Sequence, residues 1–217
     1  MSSATRRGRF ISLEGLEGVG KTTNRAHIEQ RLQDAGLTVM MTREPGGTPL
    51  GESLRNLVLH GTVPMRAETE LMLMAASRIE HVGRVIEPAL ARGDWVLCDR
   101  FLDASVAYQG GGRELGQNMV EQLHQLMGMT LQPDLTLLLD MPVADGLARM
   151  AERGAPDRIE QETVAFFERA RAAYLQRAKD DSSRVAVINA GQPLAAVQSG
   201  IDEALEPLLA RFGLGAT

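Results

Sequence analysis

Gly15-Leu16-Glu17-Gly18-Val19-Gly20-Lys21-Thr22 is the stretch on which the reading of the chain turns. It matches G-x-x-x-x-G-K-[ST] at every fixed position. Glycines let consecutive backbone N–H groups turn inward around phosphate oxygens, and a following helix adds its positive N-terminal end. Lys21 supplies a cation for the β- and γ-phosphates, and the Thr22 hydroxyl suits Mg²⁺. The flanks agree: Phe10-Ile11-Ser12-Leu13 reads as a strand, and a helical segment begins at Thr23. Residues Gly15 through Thr23 are therefore expected to hold a nucleoside triphosphate.

Outward from this loop, β-rich runs alternate with helical patterns. The runs are Arg9–Leu13, Leu37–Thr42, Trp95–Cys98, Leu135–Leu139 and Arg184–Ile188. Helical spacing occupies Thr23–Ala35, Ala67–Ala91, Asn118–Met127, Glu160–Lys179 and Leu194–Phe212. Near-continuous apolar strands separated by helices predict a parallel sheet covered on both faces, a three-layer α/β sandwich. Residues 1–8 read as a flexible tail and 9–213 as one domain. Pro45-Gly46-Gly47 and Gly110-Gly111-Gly112 read as loops after strands, where open α/β sheets bind ligands.

Composition narrows the partners. The chain has 217 residues, 44% hydrophobic and 24% charged, with a formal net charge of -5. This is material for one well-packed domain, and the scattered basic residues argue against nucleic acid. No apolar stretch reaches membrane-span length. The single cysteine, Cys98, cannot form an internal disulfide, which fits a cytoplasmic setting, and its place in Trp95-Val96-Leu97-Cys98 reads as buried strand.

A P-loop enzyme usually holds Mg²⁺ through an aspartate that ends a neighbouring strand. Asp99 ends Trp95-Val96-Leu97-Cys98, with Asp140 as its competitor. Arg100 directly after Asp99 adds a phosphate clamp to the metal ligand. No N-K-x-D guanine-reading sequence occurs, which weakens a GTPase reading, and the length suits a small nucleotide kinase. A kinase for a different small acceptor and a noncatalytic nucleotide sensor are the competing readings. Intact Lys21, Thr22 and Asp99 argue against the second.

Four segments together resemble the bacterial thymidylate kinases. They are Glu14–Thr23, Thr42-Arg43-Glu44-Pro45-Gly46-Gly47-Thr48, Asp99-Arg100-Phe101 with Ala107–Arg113, and Arg153-Gly154-Ala155-Pro156-Asp157-Arg158-Ile159-Glu160. The resemblance implies a P-loop kinase fold, Mg²⁺, transfer from ATP to dTMP, and a homodimer, for which the apolar segment Leu71–Val85 is the candidate interface. By the same resemblance Glu17 binds the deoxyribose 3′-hydroxyl, which explains a carboxylate in a phosphate loop. Arg100 holds the acceptor phosphate, with Arg43 and Arg55 as further candidates, and Glu44 and Pro45 border that substrate. Arg78 donates to a thymine carbonyl, Ser105 reads N3, Tyr108 lies under the sugar and Gln109 contacts the base. Met74 stands where many members carry a base-stacking phenylalanine. A lid over 149–160 closes on the site. The loop offers Gly18 after Glu17, so the catalytic arginines are expected on the lid: Arg153 at the transferring phosphoryl, Arg158 assisting, and Arg149 nearer the adenine.

Overall fold

The computed structural model describes residues 6–151 and 156–212. Five strands form one parallel sheet: β1 (Phe10–Glu14), β2 (Val39–Arg43), β3 (Trp95–Asp99), β4 (Leu135–Asp140) and β5 (Val185–Asn189). Their order across the sheet is β2-β3-β1-β4-β5. Side chains alternate between faces. Ile11, Leu13 and Leu97 join the larger core, while Phe10, Val96 and Cys98 join a second core on the opposite face. Buried Cys98 accords with its reading as a strand residue, and burial pushes its thiol well above the ordinary range.

Each strand ends one residue beyond the apolar run that predicts it, on Glu14, Arg43, Asp99, Asp140 or Asn189. The apolar signal stops there because these last residues are polar, with Glu14 bonded to Tyr174, Arg43 paired with Glu52 and Asp140 paired with Arg171.

The helices among the described residues are α1 (Lys21–Asp34), α2 (Pro49–His60), α3 (Ala67–His81), α4 (Glu87–Arg92), α5 (Leu102–Ser105), α6 (Gln117–Leu126), α7 (Val143–Ala151), α8 (Val164–Asp180) and α9 (Leu194–Ala210). The long helix expected over Ala67–Ala91 is interrupted by a π-helical turn, Val82–Ile86, just before Pro88. A proline lacks the N–H that would continue the ladder, and the Glu87 N–H reaches the Val82 carbonyl instead. Buried Asn24, Ile28 and Leu32 give α1 a single inward stripe. Helix α8 starts later than expected, where the Thr163 side chain caps the Phe166 N–H.

One expectation is corrected. Gly110-Gly111-Gly112 is not a loop after a strand but the end of a π-helical turn, Val106–Gly112, that continues α5. A Cβ on Gly112 would lie 2.5 Å from the Phe166 ring, and one on Gly111 would lie 2.7 Å from Ala173 Cβ. These glycines permit close packing on α8. At the start of the described residues, Arg6, Arg7 and Gly8 each contact the domain. The Gly8 N–H donates to Leu90 O at 2.9 Å, Arg7 pairs with Glu87, and Arg6 lies over the Phe212 ring.

Candidate active site

The loops after β1 and β3 meet because those strands are neighbours, with Leu13 opposite Asp99. Between them opens a cavity of about 260 Å³. Glu17, Gly18, Gly20, Lys21 and Thr22 line one end, and Asp99 and Arg100 line its floor. Leu16 and Val19 are buried in the core behind the loop, so only their backbone is available to a ligand. Gly18 and Gly20 hold φ of 76° and 88°, the left-handed region that turns the loop's N–H groups inward. Lys21 opens α1, and its Nζ donates to Gly15 O at 3.0 Å and Leu16 O at 2.6 Å. Burial pushes that ammonium down to about 8, and the charge of Arg100 adds to the effect. Thr22 and Thr23 are exposed, and only Thr22 lines the cavity.

Arg100 is held in left-handed backbone, φ 69°. For a non-glycine residue that conformation is costly and typical of sites where a side chain must be aimed. Its Nη2 donates to Glu17 Oε1 at 2.6 Å and its Nη1 to Gly15 O at 2.9 Å. Tyr108 Oη donates to Glu17 Oε2 at 2.6 Å, and Arg100 lies 4.8 Å over the Tyr108 ring. Behind them Glu14 accepts from the Phe101 N–H and from Tyr174 Oη, each at 2.7 Å. Burial, helped by Asp103, raises the Glu14 carboxyl to about 7.

The far end of the cavity is lined by Glu44, Pro45, Arg55, Leu59, Met74, Ala104, Gln109 and Ile159, with Arg43 at its edge. Most of the residues expected at the acceptor are thus gathered on one surface. Arg78 and Ser105 are not. Arg78 is 1% exposed and stands behind the wall. It donates to Glu44 Oε2 and His124 Nε2, each at 2.6 Å, and to Phe101 O and Ser105 Oγ, each at 3.0 Å. His124 is able to accept because its Nδ1 faces Val120 O, and burial beside Arg78 lowers it to about 4. Sequence reading missed Leu59 and Ala104, apolar residues with no motif of their own, and Glu70; Ile159 lies in the lid segment with no role given to it.

On the lid, Arg153 lies outside the described residues. Arg149 is exposed at the end of α7, with its Nη1 3.4 Å from Ala190 O. Arg158 does not line the cavity. Its Nε donates to Val58 O at 2.7 Å and its Nη2 to Glu70 Oε2 at 2.5 Å. Asp157 Oδ1 accepts from the N–H groups of Ile159 and Glu160, and the Arg158 N–H donates to Leu59 O at 3.0 Å, which ties this segment to α2.

Among the described residues no cluster of three or more His, Cys, Asp and Glu could enclose a metal, and no helix is long and apolar enough to cross a membrane. Thr22 and Asp99 are hard oxygen donors on the phosphate end of the cavity. This is the sparse set on which Mg²⁺ is held together with phosphates, rather than a protein cage.

Residues 13–201 match the family model described as thymidylate kinase. Curated thymidylate kinases of Bordetella pertussis and Pseudomonas entomophila are 53% and 54% identical to this chain. The alignments cover 95% and 94% of this chain, and 99% and 98% of theirs. A crystal structure of thymidylate kinase from Ehrlichia chaffeensis superposes with a TM-score of 0.75 at 30% identity, over 92% of this chain and 98% of that one.

Proposed function

The chain belongs to the thymidylate kinase family and moves the terminal phosphoryl group of ATP onto dTMP, giving dTDP and ADP; within that reaction we propose the following roles for its residues. The observation that carries them is the Glu17–Arg100–Tyr108 triad at the junction of loop and cavity. Glu17 occupies Arg100 as a phosphate would. An arriving dTMP phosphate takes the Arg100 fork, and the released carboxylate accepts the 3′-hydroxyl of the sugar. Tyr108 lies where a 2′-hydroxyl would clash. Arg55 and Arg43 add charge from the cavity edge, beside Glu44 and Pro45.

The base goes to the far end, against Met74 and Gln109. Arg78 reaches a thymine carbonyl only with an N–H that its present partners leave or release, and Ser105 acts through Arg78. At the other end, Gly15 through Thr23 hold the triphosphate, with backbone N–H groups and Lys21 on its oxygens. Thr22 and Asp99 would hold Mg²⁺, which supplies charge neutralisation on the phosphates. An oxygen of the dTMP phosphate attacks the γ-phosphorus, and the bond from that phosphorus to the bridging oxygen breaks, releasing ADP. The acceptor is already anionic, so positioning and charge do most of the work and no strong base is needed.

Arg153 and Arg158 of the 149–160 lid neutralise the transferring phosphoryl after closure, and Arg149 flanks the adenine. We read the protein as a cytoplasmic homodimer, paired through α3, where Met72 is the large apolar side chain turned outward.

A coupled ADP assay over monophosphates tests the acceptor site. We expect dTMP to exceed dCMP by about tenfold or more in kcat/KM, the scale of one mispaired buried polar group. The ribose counterpart of dTMP should be turned over poorly. Equal efficiency with dCMP overturns the base assignment, and equal efficiency with the ribose counterpart overturns that of Tyr108.

A further inference from the structure

Gln109 is fully buried, yet it lines the cavity beside Met74, Ala104 and Tyr108. Its Nε2 donates to Glu70 Oε1 at 2.8 Å. Its Oε1 has no hydrogen-bond partner among the described residues. Glu70, on α3, is 1% exposed and also accepts from Arg113 Nε at 3.2 Å and Arg158 Nη2 at 2.5 Å. Burial pushes the Glu70 carboxyl up, but Gln109, Arg113 and Arg158 outweigh it and hold the group below its usual range. Glu70 is therefore ionised and can only accept. An acceptor-only partner allows one orientation of the Gln109 amide, with the NH₂ toward Glu70 and the carbonyl away from it. A buried acceptor without a donor is unfavourable until a ligand supplies one. Ser105, the residue expected to read N3, is taken up by Arg78 and does not line the cavity.

We propose that Glu70 is a positioning residue for base recognition: it locks the Gln109 amide so that Oε1 accepts the N3–H of thymine. Cytosine presents an acceptor at N3, so the locked carbonyl faces a lone pair and that base is disfavoured. A free amide could flip and serve either base, so the lock is the source of the selection. This inference rests on the reading of the cavity as the dTMP site.

The test compares kcat and KM for dTMP and dCMP in the unaltered enzyme, Glu70→Gln, Gln109→Met and the double variant. Glutamine at position 70 can both donate and accept, so the lock is lost while size is kept. Glu70→Gln should lower the dTMP:dCMP ratio of kcat/KM about tenfold, mostly through KM for dTMP, the scale of one hydrogen bond. Gln109→Met should give a similar fall, and the double variant should add little, because both changes remove one interaction. If Gln109→Met leaves the ratio unchanged, Gln109 is not a base contact and the reading of this end of the cavity fails with the proposal. If Gln109→Met lowers the ratio and Glu70→Gln does not, the base reading stands and the role of Glu70 is overturned. If Glu70→Gln lowers it equally with methionine at 109, Glu70 acts elsewhere and the proposal is again overturned. Should Glu70→Gln not fold, judged by circular dichroism, Glu70→Asp replaces it. Aspartate keeps a charge for both arginines but withdraws the acceptor from Gln109, and the same fall is expected.

Discussion

Lys21 shows how a single residue ties folding to function. Its ammonium turns back on the carbonyls of Gly15 and Leu16, and burial with Arg100 nearby brings it from 10.5 to about 8. The protonated form is the useful one, since only a cation attracts phosphate oxygens. For a base with a lowered value the charge is present below about pH 8 and lost above it. The kcat/KM for ATP reports the free enzyme, so it should fall with rising pH beyond about 8, approaching tenfold per unit. A profile flat to pH 10 would overturn the lowered ionisation of Lys21. In the same assay, Lys21→Ala should cost about a hundredfold or more in rate, roughly 3 kcal/mol of transition-state stabilisation, in a protein that still folds. Near-normal turnover would contradict the assignment. The motif makes the role of Lys21 legible in sequence. Its depressed ionisation is not, because that depends first on burial and then on Arg100, both of which the fold supplies.

At the scale of elements, the π-helical turn Val106–Gly112 carries Tyr108 and Gln109 to the cavity while Gly111 and Gly112 lie against α8. A glycine run reads equally well as a binding loop or as a packing surface, since either use needs only the missing Cβ. The neighbouring helix decides between them here. Gly112→Ala would place a methyl group 2.5 Å from a Phe166 ring that is 2% exposed and has little room to yield. Overpacking of this kind costs about 1–3 kcal/mol, a Tm loss of several degrees in a chain of this size. Gly83→Ala is the control, because nothing lies within 4 Å of its added Cβ. Equal melting temperatures for the two variants would show that the turn does not depend on this contact. The same logic explains why Ala67–Ala91 reads as one helix. The spacing is continuous, and only Pro88 signals the interruption.

At the scale of the whole molecule, the proposed mechanism has the 149–160 segment and the sheet-borne site come together. Arg158 is held on Glu70 and Val58 and does not line the cavity. An arginine that meets the phosphoryl group only after closure stabilises the transition state more than either bound substrate. Arg153→Ala is accordingly expected to lower kcat by about a hundredfold or more and to shift KM for dTMP only a few-fold. Weaker dTMP binding at unchanged kcat would instead make Arg153 an acceptor contact, and the catalytic arginine would have to be sought elsewhere. Glu44-Pro45 and Tyr108-Gln109 were reached through the family resemblance, whereas the alternation of apolar strands and helices, the phosphate loop and the Asp99-Arg100 pair were legible in the sequence by itself. Each is encoded in a short segment whose backbone geometry and side-chain chemistry are local. The strand order, the burial of Arg78 behind the wall, and the meeting of Glu70 with Gln109 and Arg158 were decided only by the tertiary structure. Those partners are 39 and 88 residues apart along the chain. No local pattern records such a pairing, because it exists only once packed helices set the angle and distance at which one buried carboxylate can collect its donors.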